Sequence, residues 1–204
     1  MLNRHANADR AVAVAAPLAG TSGKRMRAAV AAAVAVVGAF ALDQASKAWA
    51  LSALSGGTTV PILPSVELRL VFNPGIAFGI GADAGAPLVV GLMVLNAALL
   101  GWVCARVVRD DDLVGTALLA IAAGGGLGNL WDRVFRAGES PLTGRVVDFI
   151  AVDWFAIFNV ADIFTTCGIA LWALRTTLVR RPDRLAPATQ IPSSRQAPAI
   201  EHGH

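Results

Sequence analysis

The sequence predicts an all-α membrane protein, with four transmembrane helices and a small extracytoplasmic sheet. Three observations carry this. Hydrophobic residues make up 55% of the 204 and the mean hydropathy is +0.60, above the roughly 45–50% apolar content of soluble domains. The excess is gathered into runs of close to the ~20 apolar residues that a ~30 Å hydrocarbon core demands. Lysine and arginine cluster beside those runs.

The first helix is expected from Arg27 to Leu54, the second from Pro87 to Val108, the third from Leu113 to Trp131 and the fourth from Phe158 to Val179. The first three are rich in Ala, Val, Leu and Gly, as packed membrane helices often are. Lys24, Arg25 and Arg27 precede the first helix, Arg106 and Arg109 separate the second and third, and Arg175, Arg180, Arg181 and Arg184 flank the end of the fourth. These groups fall on one side of a four-helix topology, which the positive-inside rule makes cytoplasmic. Arg133, Arg136 and Arg145 lie on the other side, so the rule is not obeyed cleanly. Lys24–Ala45 also has the look of a cleavable signal peptide. The apolar run continues past Asp43 through Trp49-Ala50-Leu51, which favours an uncleaved first helix.

The division expected is a cytoplasmic N-terminal tail over 1–26, a four-helix domain over 27–180 and a disordered cytoplasmic C-terminal tail over 181–204. Residues 1–23 and the proline-bearing tail from Pro182 are expected to be unstructured. His202 and His204 fit a solvated tail better than a metal site. Cys104 and Cys167 fall inside spanning segments and read as packing residues. In the outward loop 55–86, Val66-Glu67-Leu68-Arg69-Leu70 alternates with the period of a half-buried strand, so a small sheet is expected on the outer membrane surface. The net charge of +3 is small, and no basic stripe with interleaved aromatics points to nucleic acid.

Polar residues gather at the outer ends of these helices. Asp43 and Lys47 are spaced i,i+4 on the first, and Asn129, Asp132 and Arg133 close the third. Asn159 and Asp162 open the fourth, while Asp148 and the Asn73-Pro74-Gly75 turn sit in the outward loops. Each has a plain alternative. Asp43–Lys47 also reads as a neutralising salt bridge, Asp132-Arg133 as an interfacial stop, Asp162 as a dipole-complementing charge and Asp153 as a loop acid. Together they share one depth, which a structural role does not explain. An aspartate within a span is unfavourable by about 2.5–3.5 kcal/mol at a helix centre and less near an interface, and marks a functional site by default.

Two carboxylates offer acid/base chemistry. Two charges ~4 Å apart at an effective dielectric of ~20 repel by about 4 kcal/mol, enough to raise one pKa by about three. One carboxyl then holds a proton while its neighbour is ionised, the division of labour of aspartic proteases. Asp148 and Asp162 are the pair chosen, because a loop and the next helix start bring them together easily. Intramembrane acids also mark ion paths. A relay, however, would place them at successive depths, and no inverted repeat of broken helices is evident. A non-enzymatic scaffold leaves the paired aspartates without a purpose.

Five segments resemble the lipoprotein signal peptidase (signal peptidase II) family. They are Asp43-Gln44-Ala45-Ser46-Lys47, Asn73-Pro74-Gly75-Ile76-Ala77-Phe78-Gly79, Gly124-Gly125-Gly126-Leu127-Gly128-Asn129-Leu130-Trp131-Asp132-Arg133, Val146-Val147-Asp148-Phe149 and Phe158-Asn159-Val160-Ala161-Asp162. They occur in the family's order and cover about residues 27–178. Ile76 departs from the family's usual alanine, Glu139-Ser140-Pro141-Leu142-Thr143 lengthens the turn before Asp148, and both tails exceed the family length. The resemblance implies an intramembrane aspartic endopeptidase of the bacterial inner membrane, with both termini cytoplasmic and the site at the outer leaflet. It would cut the signal peptide from diacylglyceryl-modified prolipoproteins just before the lipidated cysteine. Asp148 and Asp162 would be catalytic. Asn73, Asn129, Arg133 and Asn159 would hold substrate backbone and orient the pair, with Gly75 and Asp132 as further supports and Asp43 and Lys47 bracing the site. The family fold adds a β-cradle to the four helices. The implied partners are diacylated prolipoprotein signal peptides and membrane lipids, with a monomer expected and no metal, cofactor or nucleic acid.

Overall fold

The computed structural model describes residues 3–76, 80–109, 112–136 and 142–179, with side chains described from Ser22 onward. Four helices, α1 (Asn3–Ala53), α2 (Ala86–Val108), α3 (Leu113–Phe135) and α4 (Val160–Val179), carry an antiparallel sheet at one end of the bundle. Its strands are β1 (Thr59–Leu63), β2 (Val66–Asn73), β3 (Val146–Val152) and β4 (Ile157–Phe158), in that order across the sheet.

Among the described residues 3 helices are long and apolar enough to cross a membrane: Ser22–Ala53 within α1, α2 and α3. The fourth is 20 residues long. Asp162, Arg175 and the threonines at 165, 166, 176 and 177 dilute its apolar character. Residues 3–23, expected to be unstructured, continue α1 as helix. Alanines at 6, 8, 11, 13, 15, 16 and 19 favour helix in that segment, against the opposing Pro17, Gly20 and Gly23. α3 extends to Phe135, past the expected end at Trp131, so Asp132 and Arg133 are helical residues. The C-terminal tail with His202 and His204, and Ala77-Phe78-Gly79 of the second motif, lie outside the described residues.

α3 is the packing axis. Its small residues Ala120, Ala122 and Ala123 are fully buried, and its glycines let neighbouring backbones approach. A Cβ at Gly124 would stand 2.5 Å from the Val36 carbonyl oxygen of α1, and one at Gly125 would stand 2.5 Å from the Ala161 oxygen of α4. Close approach through small residues is the usual means of helix association in an apolar medium. At the end away from the sheet, Ala32, Val103, Leu119 and Ala120 form a core with Leu99, Val107 and Trp172 around it. Cys104 and Cys167 are free and exposed on the protein surface. They do not pack inside, a correction to the reading of both as packing residues. Their helices each bury one stripe only, and these positions lie off it.

The sheet takes strands from both connecting segments. β1 and β2 come from 55–86, as expected, joined by the Pro64-Ser65 turn with Ser65 in the left-handed region at φ 67. β3 and β4 come from the segment read as a plain loop. Val146–Phe149 is buried at every position, so no polar alternation marks it as a strand; a strand buried on both faces reads only as an apolar run. Ala50 and Leu54 at the end of α1 pack with Phe149, Leu68 and Leu70, which fixes the sheet onto the bundle.

Candidate active site

The sheet end of the bundle is held together by buried polar groups. In α1, Asp43 and Lys47 are fully buried and paired at 2.8 Å. The Lys47 ammonium also meets Asp132 Oδ2 at 2.9 Å and donates to Asn129 Oδ1 at 2.8 Å, both on α3. Asp43 Oδ1 accepts from the Ala161 backbone N–H at 3.0 Å, at the start of α4. Asp132 Oδ2 accepts from the Val147 N–H at 3.2 Å on β3, and its Oδ1 receives Arg136 Nε at 2.6 Å. The Asp43–Lys47 pair is therefore a salt bridge that also binds two other elements, α3 and α4. Asp132 is a buried tie between α1, α3 and β3, and not an interfacial stop.

Asp148 lies in the middle of β3, opposite Val71 of β2, and not in a loop. Its Oδ2 accepts from Asn73 Nδ2 at 2.9 Å and its Oδ1 from Asn159 Nδ2 at 2.7 Å. Asp162 is in the first turn of α4. Its Oδ1 accepts from Asn129 Nδ2 at 2.8 Å and its Oδ2 from the Asn159 backbone N–H at 3.1 Å. Asn159 thus reaches both carboxyls, and each of their oxygens is met by one amide donor. Asn159 Nδ2 also donates to Asn129 Oδ1 at 3.0 Å.

Asn159 and Asp162 form a reciprocal helix cap. Asn159 Oδ1 accepts from the Asp162 N–H at 3.1 Å while the Asp162 carboxyl accepts from the Asn159 N–H. This is the capping-box arrangement, with the carboxylate at the third helical position. The cap locks the Asp162 side chain before any substrate arrives. Asn73 ends β2, and its Oδ1 accepts from the Gly75 N–H at 2.9 Å, closing a turn. The Gly75 carbonyl in turn accepts from Arg133 Nη2, so the turn is docked on α3. Arg133 is 4% exposed and its Nε has no hydrogen-bond partner among the described residues.

Every residue assigned to the site from the sequence enters this one network: Asp43, Lys47, Asn73, Gly75, Asn129, Asp132, Arg133, Asp148, Asn159 and Asp162. Asp153 does not. It is exposed in the β3–β4 turn, with its N–H bonded to the Ser65 carbonyl oxygen at 3.1 Å. Sequence reasoning gave no role to Gln44, whose Nε2 bonds Asp43 Oδ2 at 3.0 Å and the Gly128 oxygen at 3.2 Å, nor to Arg136. The i,i+4 spacing of Asp132 and Arg136 was a readable signal for the latter.

Burial is the main influence on Asp148 and pushes its carboxyl up, with the nearby Asp162 charge adding to the effect. The Asn73 and Asn159 hydrogen bonds pull it back, to about 6. A cavity of about 720 Å³ meets Asp148, Asp162, Asn73 and Arg133 and continues between α2 and α4 past Leu95 and Ile163. Its walls are mostly apolar side chains, with the carboxyls at one end. Among the described residues no group of three His, Cys, Asp or Glu side chains is arranged to hold a metal.

The family model for signal peptidase (SPase) II matches residues 34–178, a stretch that contains the whole network. The lipoprotein signal peptidase of Bifidobacterium adolescentis is 44% identical over 141 residues, covering 69% of this chain and 72% of that protein. That of Neisseria meningitidis serogroup C is 35% identical over 156 residues, covering 74% and 90%. A bacterial membrane enzyme solved in meso at 2.3 Å shares the fold with a TM-score of 0.61 at 22% identity, over 78% of this chain and 94% of that one. The match begins inside α1, runs through the sheet and ends one residue short of the end of α4, and the chain belongs to the signal peptidase II family.

Proposed function

We propose that this family member removes the signal peptide from diacylglyceryl-modified bacterial prolipoproteins. It would cut just before the lipidated cysteine, with Asp148 and Asp162 as the catalytic carboxyls. The observation that carries the assignment is Asn159, which donates to Asp148 through its side chain and to Asp162 through its backbone. The two carboxyls are thereby held as one unit facing an apolar cavity. With a single proton shared between them, the ionised member takes a proton from water as the water oxygen attacks the scissile carbonyl. The protonated member donates to the carbonyl oxygen, giving a tetrahedral diol. Collapse of the diol breaks the C–N bond as one carboxyl gives its proton to the leaving amine and the other takes up a hydroxyl proton from the diol, which restores the singly protonated pair. Asn73, Asn129 and Asn159 keep the carboxyls in place through neutral donors. Asp43, Lys47 and Asp132 brace the elements that carry them, and Arg133 with its free Nε is available to substrate carbonyls.

The setting is a four-span bundle in the bacterial inner membrane. At about 1.5 Å per residue, the 20 residues of α4 are long enough for a ~30 Å core. Exposed Val30, Val34 and Val37 on α1 and Val90 and Val94 on α2 suit contact with lipid. The basic groups beside the helix ends support cytoplasmic termini with the sheet outside. The protein acts as a monomer.

The test is cleavage of a diacylated prolipoprotein by the purified protein. Asp148→Asn and Asp162→Asn should each abolish turnover while far-ultraviolet circular dichroism and elution volume stay unchanged. Near-normal turnover in either variant removes that residue from the catalytic pair.

A further inference from the structure

α2 carries one polar side chain midway along its apolar length. Asn96 is 7% exposed, lines the same cavity as Asp148 and Asp162, and its Nδ2 has no hydrogen-bond partner among the described residues. It lies against α3 at Gly126, where a Cβ would overlap the Asn96 carbonyl oxygen. An unpaired amide donor in an apolar setting is unfavourable for the fold alone. A leucine would fill the space beside Leu92, Leu95 and Leu99 without that penalty. The donor is therefore unexplained by packing.

Its level in the cavity suggests a use. Gly126 precedes Asn129 by three residues, so Asn96 lies about 4.5 Å from the Asn129 level along α3, on the side away from the sheet. A peptide bond inside a helix hides its carbonyl from attack, so the segment at the carboxyl pair has to be unwound. Upstream of the cut, unwinding strips main-chain carbonyls of their helical partners within an apolar cavity, where each needs a new donor. An extended chain advances about 3.3 Å per residue, so the Asn96 amide is level with the first or second residue upstream of the cut. Resting on the peptidase reading above, we propose that Asn96 is a positioning residue. Its Nδ2 donates to a substrate main-chain carbonyl one or two residues before the scissile bond and holds the unwound end of the signal helix in register with the carboxyls. It does not touch the reacting atoms.

The test measures steady-state cleavage in lipid bicelles by wild type, Asn96→Leu and Asn96→Ala. The substrates are diacylated prolipoprotein peptides with either the natural amide or a thioamide, a weak acceptor, at each of the first two upstream carbonyls. Both variants should lose about tenfold in kcat/KM on the natural peptide, chiefly through KM, with no fall in Tm. One of the two thioamides should lower wild-type kcat/KM several-fold and leave the variants unaffected. The proposal is overturned by wild-type kcat/KM in both variants, by thioamide losses equal in wild type and variants, or by a fall in Tm that accounts for the lost activity. A wild-type protein that cuts none of the peptides instead refutes the peptidase reading on which the proposal rests.

Discussion

Asp148 is buried in a strand, and that placement has a thermodynamic consequence separate from catalysis. Its carboxyl has an ordinary value of 3.8 and is pushed to about 6 in the fold, with burial as the leading cause. The folded protein therefore holds this proton more tightly than the unfolded chain. The stabilisation from Asp148 is fully present below about 3.8 and is lost as pH rises through about 6, amounting to at most about 3 kcal/mol. Asp148→Asn cannot titrate, so its Tm minus that of wild type should grow between pH 4 and pH 6.5. An identical pH dependence for the two proteins would show that Asp148 keeps its ordinary value. Asp153 offers the contrasting case. It is exposed in the β3–β4 turn and takes no part in the network, so Asp153→Asn should keep cleavage within about tenfold, about 1.4 kcal/mol of transition-state stabilisation. If Asp153→Asn is dead while Asp148→Asn still cuts, the pair is Asp153 with Asp162.

At the scale of elements, the carboxyl geometry depends on how closely α1, α3 and α4 meet. Gly128 of α3 faces the Asp43 carboxyl so tightly that a Cβ there would overlap it. That carboxyl holds both Lys47 and the N–H of Ala161, one residue before Asp162. Gly128→Ala should therefore displace Asp43, loosen the start of α4 and lower stability by about 1–3 kcal/mol, the usual range for overpacking. Cleavage should fall with it. Gly91 in α2 is a control, because nothing lies within 4 Å of a Cβ built there. Gly91→Ala should leave cleavage unchanged without lowering Tm, and equal losses in the two variants would refute the contact-specific argument. The Asn159–Asp162 cap works at the same scale, since the side chain that completes the helix start is also one of the two carboxyls proposed as catalytic.

For the whole molecule, the sheet and the carboxyl pair share one end of the bundle, and at the other end Arg175 of α4 grips Asp112 before α3 at 2.6 and 2.8 Å. The inside–outside assignment rests on the basic groups and is open to direct measurement. In a background with Cys104→Ala and Cys167→Ala, Thr143→Cys should react with an impermeant maleimide on intact cells. Gln190→Cys should react only after permeabilisation. The reverse pattern would invert the topology and place the carboxyls on the cytoplasmic side.

Much of this protein was legible because its signals are local. Hydrophobic run length gave the positions of all four helices to within a few residues at most ends, since the span of a helix is set by residues adjacent in sequence. Charged residues inside apolar runs flagged Asp43, Lys47 and Asp162, because burial of charge is unfavourable wherever the chain goes next. The strand carrying Asp148 was not legible. A strand covered on both faces shows no alternation, and its partners Val71 and Phe158 are remote in sequence or lie beyond a turn. Nor could the sequence tell that Asn159 bonds both carboxyls, that Asp132 ties Lys47 to β3, or that Asn96 is left without a partner. Those depend on which helix faces meet, and the glycines of α3 decide that through close contacts in space.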